Sequence, residues 1–320
     1  MTRYGYHASH EQISPGRLLA DVRAAERAGF EAAMCSDHFM PWSARQGHSG
    51  FAFAWLGAAL ATTSLPIGSV NAPGQRYHPA IVAQATATLG EMFPGRYWVA
   101  LGSGQAMNEH VTGDPWPRKP ARQERLEECV EVIRRLHAGE EVSHDGLVHV
   151  DRAVVHDRPA DPIPLYACAI SPATAARVAG WADGLITINQ PVEHVREVVD
   201  TYRDAGGRGP LLLQLHLSWA PTTEEATAIA HDQWRTNVFA APVSLDLPTP
   251  EHFDIAAEHI TAETVAAGVR ISSDADQHVA WIREYASLGF DDIYLHHVGQ
   301  DQRAWLDLAA RHVLPALKER

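Results

Sequence analysis

Short runs of apolar residues alternate along this chain with longer segments in which apolar residues recur every three or four positions. Short apolar runs between polar turns predict buried β-strands, and the helical spacing predicts amphipathic helices. We therefore expect eight strands separated by helical segments. The predicted strands cover residues 4–8, 30–35, 65–70, 97–102, 164–169, 184–187, 211–218 and 292–296.

The helical segments have recognisable apolar sides and ends. In the first of them, Leu18, Val22 and Ala25 form one apolar side. Gly29 is expected to end this helix, because glycine readily adopts the left-handed conformation found at helix C-termini. The predicted helices cover residues 15–28, 51–62, 79–92, 120–137, 172–180, 192–203, 274–288 and 301–318.

This alternation predicts the α/β class and a closed parallel (β/α)8 TIM barrel, because each parallel crossover needs a helix. The chain has 320 residues, whereas such barrels take about 250. We place the excess in insertions after strands four and seven and in a hairpin marked by Asp145 and Gly146. The second insertion, about residues 223–267, is predicted to be helical. We expect one domain, residues 1–320; an open, doubly wound sheet is the alternative.

Composition narrows the kind of protein. A net charge of −13 argues against nucleic acid or an anionic membrane as the main partner. The chain shows neither a signal peptide nor an apolar run long enough for a membrane span. Its three cysteines, Cys35, Cys129 and Cys168, lack the spacing of metal ligands and are predicted to be buried thiols. A cytoplasmic location is the simplest expectation.

Polar chemistry begins where the second strand ends. The apolar residues Met34 and Cys35 are followed, after Ser36, by Asp37 and His38, and Trp42 comes four residues later. Parallel barrels keep their active sites at the carboxyl ends of the strands. An acid can orient a neighbouring imidazole for proton transfer. This stretch therefore predicts a catalytic site, with a simple loop-capping role for Asp37 and His38 as the alternative.

The other strand ends are also polar, but they lack the patterns of a metallohydrolase or serine hydrolase. No closely spaced His pair with carboxylates appears, so we expect no metal site. No Gly-x-Ser-x-Gly motif appears either. Gly102 and Gly104 follow strand four, but a lone Gly-x-Gly is equally typical of a tight turn. The remaining polar strand ends carry His7, Ser69, Asn71, Gln105, Asn108, Thr187, His296 and His297.

Four segments, in this order, resemble the luciferase-like flavin and deazaflavin oxidoreductases, and within them most of all the glucose-6-phosphate dehydrogenases that use coenzyme F420. The segments read GYHASHEQ at 5–12, SDHFMPW at 36–42, RYHPA at 76–80 and GSGQAMNE at 102–109. The likeness continues to residues 296–302. This resemblance implies a barrel whose strand-end face receives the flat ring of coenzyme F420, or of FMN as the alternative.

The resemblance also implies roles for individual residues. It makes His38 the proton-transfer group, with Asp37, Trp42 and Gln105 beside it. It implies a bulge at Ser69 and Val70, often with a non-proline cis peptide, that supports the cofactor ring. The cofactor contacts implied by the resemblance are Ser69, Val70, Ala72, Asn108, Ile170, Ser171 and Thr187.

Three departures from the sugar-phosphate enzymes bear on the substrate and cofactor. Gln105 stands where those enzymes have an active-site Glu, and Gln190 stands where they have a phosphate-binding Lys; no matching basic pair occurs near Arg270. A sugar phosphate would require such cations, so we do not expect glucose 6-phosphate to be the substrate. Ile170 and Ser171 replace the Gly-Gly that lies against the cofactor phosphate, which keeps FMN open.

The expected function is hydride transfer between F420 and a small organic substrate. An FMN-dependent monooxygenase or reductase is the alternative, and a non-catalytic flavin-binding protein is a second one. Asp37, His38 and Trp42 argue against the last, because a storage protein has no need of a proton-transfer group. The resemblance also suggests a homodimer.

Overall fold

The structure, a computed structural model of the chain, describes residues 2–319. Eleven strands occur in this part of the chain. They are β1 Arg3–Ala8, β2 Ala32–Cys35, β3 Ile67–Asn71, β4 Tyr97–Leu101, β5 Val142–Asp145, β6 His149–Ala153, β7 Leu165–Cys168, β8 Leu185–Ile188, β9 Leu211–Ser218, β10 Arg270–Ile271 and β11 Asp292–His297.

Eight of these strands close into a parallel barrel. The order around it is β1, β2, β3, β4, β7, β8, β9 and β11, and β11 pairs with β1 to close the ring. The predicted (β/α)8 TIM barrel is therefore confirmed, and the open sheet is excluded. The two-residue strand β10 pairs in parallel with the carboxyl end of β9. Strands β5 and β6 form the predicted antiparallel hairpin.

Helices follow the strands and pack around the barrel. They are α1 Pro15–Ala28, α2 Ala52–Thr62, α3 Pro79–Met92, α4 Ala106–Glu109, α5 Lys119–Ala138, α6 Pro172–Val178, α7 Val192–Asp204, α8 Thr223–Trp234, α9 Val243–Asp246, α10 Pro250–Ala256, α11 Ala262–Ala266, α12 Ala275–Ala286, α13 Arg303–Leu308 and α14 Leu314–Lys318. None of the helices described for residues 2–319 has the length and apolar character that a bilayer crossing requires.

The helix ends agree with the predictions to within a few residues, except in the closing helix and in the insertion after β9. Gly29 ends α1 at φ 97°, and its N–H donates to Ala25 and Glu26. The closing helix, predicted as continuous over 301–318, is divided into α13 and α14 by a π-helical turn at Ala309–Val313. The insertion after β9 is helical as predicted, but it consists of the separate helices α8 to α11.

The floor of the barrel, at the amino ends of the strands, is filled by large side chains. Met34, Trp98, Tyr166, Leu212 and Tyr294 point inward and pack together. A Cβ at Gly68 would lie about 2 Å from the Trp98 ring, so this position has room only for glycine. A ligand can therefore enter the barrel only from the opposite end, the mouth, where the strand carboxyl ends lie.

Candidate active site

Three inward-facing histidines line the mouth of the barrel. His7, His216 and His296 lie at the carboxyl ends of β1, β9 and β11, and the His7 and His296 ring centres are 4.3 Å apart. The amide of Gln214 lies 3.0 Å from His216 Nε2 and 3.2 Å from His296 Nδ1. Burial lowers the pKa of His7 to about 4 and of His216 to about 3, and it lowers that of His296 as well. All three imidazoles are therefore neutral near pH 7.

His38 lies at the edge of this mouth and contacts a carboxylate. Its Nε2 is 3.3 Å from Oε1 of Glu11, a buried residue in the loop after β1. Glu11 also accepts hydrogen bonds from the hydroxyls of Ser9 and Ser36. Burial alone would raise the pKa of Glu11, but the interaction with His38 and the hydrogen bond from Ser36 outweigh it and lower the pKa. The chain thus places an ionised carboxylate against the His38 imidazole.

The acid next to His38 in sequence makes different contacts. The Asp37 carboxylate accepts hydrogen bonds from Asn71 Nδ2, from the Tyr77 hydroxyl at 3.2 Å and from Arg76 Nη2 at 3.2 Å. Burial raises its pKa, although Arg76 and Asn71 oppose that effect. The expectation that Asp37 orients His38 directly is wrong at the level of side-chain contacts. The two residues follow each other past a strand end and point into different surroundings.

Trp42 covers His38 from the side of the inserted helices. Its ring centre lies 5.2 Å from that of His38 and 5.2 Å from that of Phe253 in α10. The Trp42 backbone N–H donates to Gln46 Oε1, which holds the loop in place. Trp42 therefore lies between the proton-transfer candidate and an aromatic part of the insertion.

Gln105 and Asn108 lie at the start of α4 and contact the same loop. Asn108 Oδ1 accepts the backbone N–H groups of Phe39 at 2.9 Å and Met40 at 3.3 Å. Its Nδ2 donates to Gln105 Oε1 at 3.3 Å. Asn108, predicted to contact the cofactor, thus has its side chain engaged in holding the loop that carries His38.

The structure contradicts the bulge predicted at Ser69 and Val70. Among residues 2–319 the cis peptide bond is Ala241–Pro242, so the Ser69–Val70 bond is trans. Strand β3 pairs in regular register with β2 at Ser69 and with β4 at Val70, and neither pairing contains a bulge. The Ser69 hydroxyl is 2.8 Å from that of Tyr97 in the layer under the helices, whereas Val70 packs on the inward-facing cluster.

The predicted cofactor contacts on β7 and β8 lie at the same end of the barrel. Ile170 is 41% exposed, and its carbonyl accepts from Gln190 at 3.1 Å. Ser171 caps α6 by accepting the N–H of Thr174. Strand alternation places the Thr187 side chain on the helix-facing side with Leu185. Ala72, partly buried, follows β3 and lies against Gly104.

Sequence reasoning missed several residues of the site. Glu11, Arg76 and Glu109 stand within the quoted segments. Their contacts, Glu11 with His38 and Arg76 with Asp37 and Glu109, depend on pairing between different loops. Gln214 and His216 had a recognisable signal: two polar residues at alternate positions of an otherwise apolar strand share one face.

The mouth suits a flat ring with a polar edge, such as a flavin or deazaflavin. Val70 and Cys168 are partly exposed apolar groups above the filled floor. Two buried polar atoms at the mouth have no hydrogen-bond partner within the described chain: His7 Nδ1 and His38 Nδ1. Unpaired buried polar atoms are costly unless a ligand satisfies them. The residues present therefore fit such a cofactor.

Fold and mouth together define an α/β-barrel protein whose mouth suits a flat ring beside a carboxylate–imidazole pair. Comparison with protein families identifies the group. The family model described as luciferase-like monooxygenase matches residues 1–292, and the chain belongs to this family.

Individual relatives cover nearly the whole chain. The F420-dependent glucose-6-phosphate dehydrogenase of Segniliparus rotundus is 38% identical over 99% of this chain and 98% of its own. The enzyme of the same name from Microbacterium testaceum is 36% identical with the same coverage. A solved F420-dependent secondary alcohol dehydrogenase, in complex with an F420-acetone adduct, is 29% identical with a TM-score of 0.89 and covers 99% of each chain.

Proposed function

We propose that this protein is an F420-dependent oxidoreductase that transfers hydride between F420 and a small uncharged alcohol or the corresponding carbonyl compound. The observation that carries the proposal is the Glu11–His38 pair at the mouth of a barrel that suits a deazaflavin ring. The relatives named for F420-dependent dehydrogenation support the same reaction class.

The cofactor is assigned from the residues at the mouth. Val70 and Cys168 would support the ring from below, and His7 Nδ1 would meet its polar edge. When bound, F420 supplies the ring carbon that accepts or donates hydride. FMN is a second candidate, because Ile170 and Ser171 replace the glycines that the resemblance places against the phosphate of F420.

The proton is handled by this chain's own side chains. Oxidation of an alcohol releases a proton from the hydroxyl, and reduction of a carbonyl requires one. His38 can take or give this proton because its Nδ1 has no partner within the described chain, while Nε2 is held by Glu11. An ionised Glu11 stabilises the imidazolium that forms. Trp42 reduces the access of water to His38, which strengthens the Glu11–His38 interaction.

The surroundings of His38 favour an uncharged substrate. Trp42, Phe253 and Phe239 form a continuous aromatic group beside it. Gln105 is neutral, and the amide of Gln190 is bonded to the Ile170 carbonyl. Of the two lysines in the chain, Lys119 begins α5 and Lys318 ends α14. A doubly charged phosphate would lack the lysine that the resemblance places at position 190.

The test combines cofactor identification with a substrate comparison. The absorbance spectrum and mass of any co-purified cofactor, followed by titration with F420 and FMN, identify the ring that binds. Turnover is then measured with short secondary alcohols, the matching ketones and glucose 6-phosphate. We expect F420 binding and saturable turnover of an alcohol or ketone. Tight FMN binding without F420 binding, or saturation by micromolar glucose 6-phosphate, would contradict the proposal.

We also propose a homodimer formed through the outer faces of α2 and α3. From residue 51 to residue 90 the chain carries one charged residue, Arg76, whose side chain is 8% exposed. Phe51 and Ile81 in this stretch are more than half exposed. At a net charge of −13, two copies repel each other less through an uncharged face than through the charged faces of the other helices. Light scattering on wild type and on Ile81→Glu tests this: a monomeric wild type, or an unaffected dimer in the variant, contradicts it.

A further inference from the structure

We propose that Arg76 is a positioning residue that fixes the position of the His38 imidazole in the barrel mouth. It acts through Asp37 and through the contacts that join the loop after β2 to α4. The inference rests on the proposed function only in so far as His38 transfers a proton. The position of the His38 ring is measurable without turnover, so the two can fail separately.

Arg76 donates hydrogen bonds to both the backbone and the side chain of Asp37, the residue before His38. Its Nη2 donates to the Asp37 carbonyl oxygen at 3.0 Å and to Asp37 Oδ2 at 3.2 Å. The guanidinium stacks on the Tyr77 ring, 4.3 Å from its centre, and the Tyr77 hydroxyl donates to the other Asp37 oxygen. The peptide that leads into His38 is therefore held from two directions.

The same guanidinium faces a second carboxylate on α4. Arg76 Nε lies 3.7 Å from Glu109 Oε1, and the Arg76 backbone N–H donates to Glu109 Oε2 at 2.7 Å. Next to Glu109 in the chain, Asn108 accepts the N–H groups of Phe39 and Met40, just beyond His38. Arg76 thus joins the loop after β2 to α4, so that His38 is fixed on both of its sides.

The geometry requires an arginine. A guanidinium offers several donors in one plane, which here reach a carbonyl oxygen and a carboxylate while one face stacks on an aromatic ring. A lysine would keep the charge but could not make this combination of contacts. Arg76 is buried between Asp37 and Glu109, two groups with 2% exposed side chains. Flexible solvent-exposed arginines would not hold a loop in this way.

A purely stabilising role is the competing explanation. In that case losing Arg76 contacts would lower the free energy of unfolding but leave the position of His38 and the turnover of folded molecules unchanged. Arg96 offers a matched control, because its Nη2 also donates to backbone carbonyls, those of Thr63 and Leu65. It lies just before β4, at the floor end of the barrel.

The experiment compares Arg76→Lys and Arg96→Lys, each in the wild-type and the His38→Ala background. A displacement of the order of 1 Å at a reacting group costs about 100-fold in rate, so we expect Arg76→Lys to lower turnover by about 10- to 100-fold. In the His38→Ala background the same change should cost less than about 2-fold, because the group it positions is gone. Equal losses in both backgrounds would overturn the proposal. Arg96→Lys should leave turnover unchanged in both.

A second readout does not depend on turnover. In protein with isotope-labelled histidine, the NMR signal of the His38 ring is identified by its absence in His38→Gln. Arg76→Lys should shift this signal, whereas Arg96→Lys should not; an unshifted signal in Arg76→Lys would overturn the proposal. If Arg76→Lys does not fold, Tyr77→Phe removes one hydrogen bond to Asp37 and should shift the same signal by less. If the wild type is inactive but Arg76→Lys still shifts the His38 signal, the proposed function is refuted and the role of Arg76 is supported.

Discussion

The two ends of the barrel interior are built from opposite kinds of side chains. At the floor, Trp98 packs against Tyr166 and Tyr294 with ring centres 5.3 and 5.8 Å apart. Arg3 and Asp292 close this end through two parallel hydrogen bonds of 2.7 and 2.6 Å. Aromatic packing and a bidentate ion pair fill the floor without leaving room for a ligand.

At the mouth, packing gives way to polar groups held in specific states. The imidazoles of His7, His216 and His296 are neutral because burial lowers their pKa values. Glu11 is ionised beside His38. Two of these polar atoms have no partner within the part of the chain described. The contrast indicates that the floor stabilises the barrel, whereas the mouth keeps polar groups available for the proposed binding and proton transfer at some cost in stability.

The largest effect that separates the two ends is expected at His38. His38→Ala should lower turnover by about 10²–10⁴-fold with little change in F420 affinity, because the proton-transfer group is lost. Turnover at saturating cofactor and the cofactor Kd check this. His137 is a partly buried histidine bonded to Thr86 outside the mouth, and His137→Ala should keep its turnover. Weaker cofactor binding with unchanged turnover per bound cofactor would instead mean that His38 only packs against the ring.

The floor should show the reverse behaviour. Trp98→Ala removes the largest side chain of the floor cluster, and such changes cost about 3–5 kcal/mol in the free energy of unfolding. Turnover per folded molecule should stay near wild type, since the mouth residues are untouched. Denaturant unfolding measures the first quantity and active-site titration the second. A loss of turnover without loss of stability would refute the division between floor and mouth.

A smaller effect on turnover is expected from Glu11. Glu11→Gln preserves the shape of the side chain but removes the charge beside His38, and we expect turnover to fall by about 10-fold. Glu128→Gln is the matched control, because Glu128 contacts His144 at 2.9 Å in the hairpin region, away from the mouth. Equal turnover in wild type and Glu11→Gln would show that the carboxylate does not assist His38.

The smallest expected effect per residue is the loss of folding stability in acid that each buried histidine causes. The pKa of His7 is lowered to about 4 and that of His216 to about 3, whereas an unfolded imidazole has a pKa of about 6.5. Between these values the unfolded chain binds protons that the native chain does not. Stability is therefore full above pH ~6.5 and falls towards pH ~4, by up to about 1.4 kcal/mol per pH unit for each histidine.

Thermal unfolding between about pH 7 and about pH 5 measures this slope. Burial likewise lowers the pKa of His137 to about 4. His137→Gln should therefore reduce the dependence of stability on pH by the contribution of one histidine, without changing the mouth. A Tm that does not change over this pH range would contradict the assignment of neutral imidazoles to the folded state.

The barrel could be predicted because its signals are local. Each strand is a short apolar run and each helix has its own apolar side, so residues close in the sequence determine both. The position of His38 followed from the same logic, since it is the third residue after the strand β2. The identity of the site residues in the loops after β2 and β4 was likewise recognisable from the segments at 36–42 and 102–109.

The pairing of those residues was decided by tertiary structure. The Ser36–Glu11 contact spans 25 residues, the Arg76–Asp37 contact 39 and the Phe39–Asn108 contact 69. Loops lack a repeating period, so the direction of each side chain depends on the path of the backbone and on the neighbouring loops. The sequence by itself therefore determined the strands, the helices and the face that carries the polar groups. Only the tertiary structure decided that Glu11 contacts His38 and that Asp37 contacts Arg76, because the pairing of β1 with β2 and of β2 with β3 brings the loops after these strands together.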